Sequence, residues 1–128
     1  MKLTLKTDYA LRVLIFLQNK EKATIKEIAE FYNIKKNHLN VVVNRLSELG
    51  YINSSTGPTG GVSLKPQTLQ KSVGEIILHF EEFELVECFN NESNQCRLNP
   101  GCKLKSVLKK ANRQFIDELN KHKLQDLV

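Results

Sequence analysis

The chain has no long hydrophobic run: none of its apolar stretches approaches the roughly 18 to 20 residues needed to cross a bilayer. It also lacks a signal-peptide pattern, because Asp8 and Arg12 interrupt the approach to the apolar residues 11–17 and no small-residue cleavage site follows. We therefore expect a cytoplasmic protein without a membrane partner, in a compartment where thiols stay reduced. With 128 residues the chain is long enough to build its own core.

Patterns of catalysis are missing as well. The sequence contains no nucleophile–base pair, no phosphate-binding glycine loop and no metal-water site with a carboxylate base. The glycine cluster at residues 57–61 lacks the Lys-Ser/Thr pair of a P-loop. The chain is therefore predicted not to be an enzyme.

Cysteine is scarce and confined to one segment. The three cysteines are Cys88, Cys96 and Cys102, and the polar and turn-forming residues between them predict a loop that can fold the sulfurs toward one point. An odd number cannot close into intramolecular disulfides alone. Three thiols so placed suit a metal or iron–sulfur centre, although a thiol switch, which needs only two sulfurs, stays open. Zinc usually takes four ligands, often from Cys-x2-Cys pairs that this spacing does not provide.

An iron–sulfur cluster held by three thiolates needs a fourth ligand, and no histidine lies inside the cysteine segment. The nearest are His79 and His122, and His79 is expected on a helix as a surface or core residue. Lys105 occupies the position three after Cys102, and a protonated lysine cannot ligate iron. The residues alone leave the fourth ligand open.

Positive charge is unevenly distributed. Residues 1–65 contain ten Lys and Arg against five Asp and Glu, whereas residues 66–128 contain nine of each, so the first half carries the whole net charge of +5. Such a basic surface attracts nucleic-acid phosphates without reading sequence, although a solvated basic face would look the same. Residues 75–92 contain six Glu and no Lys or Arg, and we expect them to face away from DNA.

Helical spacing and capping signals predict three helices in the first fifty residues. Thr7 is expected to cap the first helix, with Asp8 in its first turn. Thr24 and Glu27 form a capping-box pattern at the start of a short second helix, which includes Phe31. The third helix is predicted from about residue 35 to residue 49, with a glycine stop.

A glycine-rich hairpin follows, with strands predicted at 51–55 and 61–65, and it makes the motif a winged helix-turn-helix. Ser72 and Glu75 repeat the capping-box pattern for a fourth helix that runs to about residue 80. A long helix is predicted from 103 to about 122. The expected fold class is mainly α with a small β-hairpin wing, a winged helix-turn-helix plus a long C-terminal dimerisation helix.

The third helix is expected to enter the major groove, with the wing on the minor groove or the backbone. Lysines at its start suit phosphates, and its amides and imidazole suit base edges. The candidate DNA-binding residues are Lys35, Lys36, Asn37, His38, Asn40, Asn44, Arg45, Thr56, Gly57, Thr59, Gly60 and Gly61.

The C-terminal helix carries a regular apolar stripe, which its own domain or the same helix of a second subunit could cover. We favour a homodimer, because DNA readers of this size usually work as two-fold pairs on palindromic sites in double-stranded DNA. The candidate dimerisation residues are Leu104, Leu108, Ala111, Phe115 and Leu119. Residues 1–80 are thus expected to form the DNA-binding domain, 81–102 the cysteine segment, and 103–128 the dimerisation helix and tail.

Several stretches together resemble a known family. They are residues 7–17 (TDYALRVLIFL), 36–39 (KNHL), 49–51 (LGY), Gly60-Gly61, the three-cysteine segment and the ending LQDLV. The chain resembles the bacterial winged-helix repressors that include NsrR and IscR, over nearly its whole length. It is most similar to the NsrR branch, the nitric-oxide-sensing repressors, because Lys105 replaces the histidine that completes the IscR cluster.

The resemblance implies an iron–sulfur cluster, [4Fe–4S] favoured over [2Fe–2S], held by Cys88, Cys96 and Cys102 of one chain and by Asp8 of the other. It also implies a dimeric repressor whose operator binding is controlled by the reaction of that cluster with nitric oxide. Without the resemblance, Asp8 would be interpreted as a helix-dipole carboxylate.

Two positions depart from the resemblance, and other functions stay open. Val41 stands in the recognition helix where these relatives often carry lysine, and Thr56 stands in the wing where they commonly carry arginine. Both departures remove a positive DNA contact. The alternatives are a cluster-free thiol redox repressor of the same fold, an iron–sulfur homeostasis regulator of the IscR type, and a protein–protein adaptor on a winged fold.

Overall fold

The computed structural model describes residues 1–98 and 101–128; Asn99 and Pro100, which belong to the predicted cysteine segment, lie outside the described residues. The described part of the chain forms five α-helices and one antiparallel pair of strands, which confirms the predicted fold class. The elements are α1 (Leu5–Gln18), α2 (Ile25–Tyr32), α3 (Lys36–Glu48), β1 (Ile52–Ser55), β2 (Gly61–Leu64), α4 (Val73–Leu78) and α5 (Lys103–Asn120). Over those residues, no helix combines the length and the apolar character that a membrane span requires.

The core lies between α1, α2, α3 and the hairpin. Each helix turns one apolar face inward, because its large aliphatic residues recur every three or four positions. The hairpin contributes one inward residue from each strand, and the 3-10 turn Leu124–Leu127 adds one more from the C-terminal end. The fully buried side chains include Val13, Leu14, Leu17, Ile28, Leu39, Val42, Val43, Leu46, Ile52, Val62 and Leu124.

Helix α1 begins earlier than predicted, and Thr7 is not its cap. The cap is Thr4, whose hydroxyl oxygen accepts a hydrogen bond from the Thr7 amide at 3.4 Å. Leu5 and Lys6 are good helix formers and extend the first turn back to Thr4. Thr7 lies inside the helix and is buried, and its hydroxyl donates to the carboxylate of Glu81.

The capping box predicted for α2 is present. The Glu27 amide donates to the Thr24 hydroxyl at 3.1 Å, and the Glu27 carboxylate accepts from the Thr24 amide. Asn33 ends α2 in the left-handed conformation, with φ of 54°, and so turns the chain toward α3. Phe31 points outward and is 70% exposed, with its ring 5.1 Å from that of Phe16.

The two strands pair from Ile52 opposite Leu64 to Ser55 opposite Gly61, each within one residue of the predicted bounds. A second contact ties the hairpin to the turn before α2, since Ala23 and Val62 exchange backbone hydrogen bonds of 3.0 and 2.7 Å. A Cβ at Gly61 would lie 2.7 Å from the Ala23 carbonyl oxygen, so this close approach requires glycine. The wing is therefore held against the body of the domain.

Helix α4 crosses α5 at a glycine. A Cβ on Gly74 would lie 2.1 Å from the Asn120 side-chain oxygen, which indicates how closely the two helices approach. Ser72 caps α4 through the Glu75 amide at 3.1 Å, and its hydroxyl also bonds the Asn120 side chain at 2.8 Å. The second half of the expected capping box does not form, because the Glu75 carboxylate pairs with Lys71 at 3.6 Å instead of accepting from the Ser72 amide. The C-terminal tail continues inward to Leu124, whose carbonyl accepts from the Gln18 side chain.

Candidate nucleic-acid interface and cysteine cleft

Helix α3 presents a polar start outside the core. Its aliphatic residues anchor one face, so the opposite face, with Lys35, Lys36, Asn37 and His38 at its N-terminal end, is exposed. The Asn37 side-chain oxygen accepts from the His38 backbone amide at 3.0 Å. The side-chain NH2 group of Asn37 is therefore left to donate to a base edge. Of the other predicted contact residues, Asn44 and Arg45 are exposed and Asn40 is half-buried.

The wing tip lies on the outside of the domain, as a DNA-contacting hairpin requires. Thr56, Gly57 and Thr59 are exposed, whereas Gly60 and Gly61 are half-buried at its base. Gly57 has φ of 94°, and a Cβ at Gly60 would lie 2.6 Å from the Ser55 carbonyl oxygen. These two glycines therefore shape the tip, in addition to permitting close approach to DNA.

Two lysines near the interface were not predicted from the sequence. Lys26 of α2 borders the same cleft as Lys36, a space of about 230 Å³ between α2, α3 and the wing. Lys22 donates to the carbonyl oxygen of Thr59 and so holds the wing tip. The sequence could have indicated them, because both lie beside the capping box at the start of α2, and that helix lies next to the reading helix in this motif.

Asp8 is engaged within its own chain. Its two carboxylate oxygens accept from the Arg12 Nε and Nη2 atoms, both at 2.9 Å, in a bidentate ion pair. The Arg12 guanidinium also lies 5.7 Å from the centre of the Tyr32 ring, and the Tyr32 hydroxyl donates to the Arg12 carbonyl oxygen at 2.9 Å. Burial raises the pKa of Tyr32, and the Arg12 charge opposes that shift. Asp8 is thereby linked through Arg12 to α2.

The three cysteines are free thiols, and two of them share a cleft. Cys96 and Cys102 border a space of about 770 Å³, while Cys88 is buried outside this lining. Among residues 1–98 and 101–128, no group of three or more His, Cys, Asp or Glu side chains is gathered as a metal site. The other lining residues of this cysteine cleft are Asn94, Gly101, Lys105, Ser106, Lys109, Lys110 and Arg113.

Three cations of the cysteine cleft lie on one face of α5, and sequence reasoning considered only Lys105, as a residue that cannot ligate iron. Lys105, Lys109 and Arg113 follow one another at four-residue intervals, so α5 stacks them along one side. That spacing was a readable signal. These cations line the cleft beside Cys96 and Cys102, and their positive charge favours an anionic occupant.

The predicted apolar stripe on α5 is packed against the rest of the chain at some positions and exposed at others. Phe115 packs against Phe83, with 5.9 Å between ring centres, and Leu108 and Leu119 are half-buried. Leu104 and Ala111 are exposed. Val107, which was not predicted, is 61% exposed beside them. The N-terminal half of α5 therefore carries an apolar surface that the described residues of its own chain leave open.

A three-helix core, a reading helix with an exposed basic start and a hairpin wing define a winged-helix DNA-binding protein. The chain belongs to the Rrf2 family, described as iron-dependent transcriptional regulators, which matches residues 3–128. The prediction of a DNA-binding transcriptional regulator rather than an enzyme is confirmed.

Curated relatives match over the full chain. The HTH-type transcriptional regulator NsrR of Bacillus licheniformis is 48% identical over 132 aligned positions, which cover 100% of this chain and 92% of that protein. The NsrR of Bacillus subtilis is 45% identical, with 100% and 90% covered. The resemblance to the NsrR branch is thus confirmed.

Solved structures share the fold. The oxidised form of Staphylococcus aureus CymR superposes with a TM-score of 0.77 at 25% identity, covering 99% of this chain and 95% of that one. T. potens IscR also gives a TM-score of 0.77, at 22% identity, covering 99% and 85%. The latter likeness shows the winged-helix fold alone.

Proposed function

We propose that this chain is a dimeric transcriptional repressor whose hold on a palindromic operator is controlled by an iron–sulfur cluster that reacts with nitric oxide. In this proposal residues 1–80 read DNA, 81–102 hold the cluster and 103–128 join the subunits. The observation that carries it is the pairing of an exposed basic reading head with a segment of three free thiols. The NsrR name of the curated relatives supports the same function.

Operator binding would use α3 and the wing. Lys35 and Lys36 are flexible point charges at the helix start and suit phosphates, while Asn37 and His38 offer donors and acceptors to base edges. The wing tip 56–61, which Lys22 contacts at Thr59 and which adjoins Val62 bonded to Ala23, would lie along the backbone or minor groove. A two-fold pair of such heads reads two half-sites at fixed spacing.

The donor set of the cysteine segment fits an iron–sulfur cluster in kind. Cys88, Cys96 and Cys102 would supply thiolates, and Asp8 of the second subunit would supply the fourth ligand, with [4Fe–4S] favoured over [2Fe–2S]. Lys105, Lys109 and Arg113 line the cleft that Cys96 and Cys102 share, and their charge would offset that of a thiolate-bound cluster. When bound, the cluster would supply an iron with one weakly held carboxylate ligand, which is open to nitric oxide.

Asp8 would link the signal to DNA binding. An Asp8 oxygen that ligates iron competes with the bidentate hydrogen bonds from Arg12. Arg12 contacts Tyr32 at the end of α2, so a change at Asp8 reaches the helix-turn-helix directly. Because two-fold readers depend on the spacing of their heads, a small movement of α2 and α3 would weaken operator binding.

The test uses anaerobically purified, full-length protein. We expect visible absorption, iron and acid-labile sulfide in the wild type, and operator binding that falls when nitric oxide is added. The matched control is the triple variant Cys88→Ala, Cys96→Ala, Cys102→Ala, which should contain no iron, bind the operator more weakly than the cluster-loaded wild type and show no response to nitric oxide. Wild-type protein that holds no iron or sulfide and represses as well as the triple variant would contradict the proposal.

A cluster-free thiol switch is the second candidate, and one observation favours it. Cys96 and Cys102 share the cysteine cleft while Cys88 lies outside it, and two sulfurs suffice for a switch. In that case Cys88→Ala would respond to oxidant like the wild type, whereas Cys96→Ala and Cys102→Ala would not. A cluster held by all three thiols predicts that every one of these variants loses the response.

A further inference from the structure

Glu81 connects the stem of the cysteine segment to the start of α1. It follows α4, where its amide donates to the Ile77 carbonyl oxygen at 2.9 Å. Its carboxylate lies at the N-terminus of α1 and accepts from the Thr4 amide at 3.1 and 3.3 Å and from the Thr4 hydroxyl at 3.1 Å. The Thr7 hydroxyl donates to the same carboxylate.

The contact is strong for physical reasons. The first turn of a helix has backbone N–H groups without helical partners and a partial positive charge, and a carboxylate satisfies both. Hydrogen bonds to an ionised acceptor are stronger than neutral ones. If the contact broke, the Thr7 hydroxyl would lose its charged partner at a position that water does not reach, because Thr7 is 1% exposed.

Because of its position along the chain, Glu81 connects the first turn of α1 to the cysteine segment. Glu81 precedes Cys88 by seven residues, and the intervening chain is the stem of the cysteine segment. On the other side, the Asp8 amide donates to the Thr4 carbonyl oxygen at 3.1 Å, so the turn that Glu81 holds is the turn that carries Asp8. A movement of the stem must either carry this turn with it or break the contact.

We infer that Glu81 is a positioning residue, which fixes the first turn of α1, and with it Asp8, relative to the stem of the cysteine segment. Nothing in the ligand set requires Glu81 itself to touch iron. Its role for the signal rests on the proposed function, whereas its role in ordering α1 does not.

The first test measures hydrogen exchange of the Thr7 and Asp8 amides in cluster-free protein. Glu81→Ala removes the acceptor, and we expect these amides to exchange about tenfold faster. Glu81→Gln keeps the length and one acceptor oxygen but loses the charge, and it should give a smaller increase. The matched control is Glu82→Gln, since Glu82 is the adjacent carboxylate and is exposed. Unchanged exchange in Glu81→Ala would overturn the inference.

The second test compares the response to nitric oxide in cluster-loaded protein. Glu81→Ala should shift the rate of loss of visible absorption in the same direction as Asp8→Ala, with iron content kept by the cysteines. If Asp8→Ala alters this rate and Glu81→Ala does not, Glu81 is only a cap and the positioning role is wrong. If the wild type takes up no iron, the proposed function fails, and exchange at Thr7 and Asp8 alone decides for or against Glu81.

Discussion

Thr7 and Asp8 are neighbours in the first turn of α1 but face different partners. Thr7 turns inward to Glu81, whereas Asp8 lies on the surface in its pair with Arg12. The buried hydroxyl is fixed by its surroundings, but the surface carboxylate can exchange partners at low cost. The role proposed for Asp8, as an iron ligand that can return to its ion pair, requires this second kind of environment.

Replacing Asp8 with alanine should therefore separate stability from signalling. The Asp8 and Arg12 side chains are 43% and 41% exposed, and solvent screens such pairs, so we expect the free energy of unfolding to change by no more than about 1 kcal/mol. Iron bound by the cysteines should remain, while the rate of reaction with nitric oxide changes. Urea unfolding and anaerobic stopped-flow measure the two quantities. An unchanged response would count against Asp8, and Asp117→Ala, at an exposed position of α5, serves as the control.

Tyr51 should make the fold sensitive to alkaline pH. Burial raises the pKa of Tyr51 above 10.0, and the Glu75 carboxylate raises it further. The folded state thus favours the neutral phenol, so this contribution is fully present below about pH 10 and is lost as the pH rises through the raised pKa. Tyr51→Phe should flatten the fall of the urea midpoint between about pH 9 and about pH 11. If the urea midpoint falls equally steeply with pH in the variant and the wild type, Tyr51 is not the cause of the alkaline sensitivity.

Side-chain contacts were predictable from the sequence only where both partners lie close together along the chain. The Thr24 cap was predictable because its partner, Glu27, lies three residues away. Glu81 was not, because it reaches Thr4 across 77 positions, and no periodic pattern marks such a contact. Thr7 was misassigned for the same reason: a threonine before an apolar stripe looks like a cap until its distant partner is known.

Helices α4 and α5 depend on one glycine for their crossing. In Gly74→Ala the new Cβ would meet the Asn120 side chain and lie 3.0 Å from the Ile116 carbonyl oxygen. Asn120 must then rotate and give up its bond to Ser72. Alanine favours helix by up to about 1 kcal/mol, but near the start of a short helix the crowding prevails, and we expect a net loss of about 1–2 kcal/mol. Urea unfolding measures it, with Gln114→Ala on the exposed side of α5 as the control; equal or greater stability would refute the crowding.

Helix α3 should divide its work between affinity and selectivity. Lys36→Gln removes a phosphate contact, so binding should weaken alike on operator and scrambled duplexes, and the salt slope should fall by about 0.9 per subunit. Asn37→Ala removes a base-edge donor and should cost about 1–3 kcal/mol on the operator only. Titrations of both duplexes at several salt concentrations distinguish the two. Equal losses on both duplexes for Asn37→Ala would assign it to the backbone.

Element boundaries were largely predictable, because helix caps, glycine stops and hairpin turns are short-range signals. Helix α3 was expected at 35–49 and spans Lys36–Glu48, and the strands expected at 51–55 and 61–65 span Ile52–Ser55 and Gly61–Leu64. The cysteine segment was less predictable. Spacing shows that its sulfurs can meet, but which of them share a cleft, and with which cations, depends on how α5 packs.

For the assembled protein, the open surface of α5 is the feature a single chain does not account for. Eighteen residues of amphipathic helix contain no fully buried residue, although their C-terminal half packs on α4 and Phe83. In the proposed dimer, a second subunit would cover the N-terminal half, and it would also bring its own Asp8 toward the cysteines. Dimerisation and completion of the ligand set would then be one event.

Leu104→Lys should therefore impair both dimerisation and completion of the ligand set. Leu104 is 58% exposed, so the change should leave the far-ultraviolet circular dichroism of the chain intact while placing a charge in the proposed subunit contact. We expect sedimentation to shift toward one chain, operator affinity to fall, and any bound cluster to be lost faster in air. Val41→Lys makes a comparable apolar-to-lysine change at another exposed helical position, 53% exposed on α3. It should remain dimeric and bind DNA more tightly, because it adds a cation to the reading helix. A Leu104→Lys protein that sediments and binds like the wild type would place the dimer contact elsewhere.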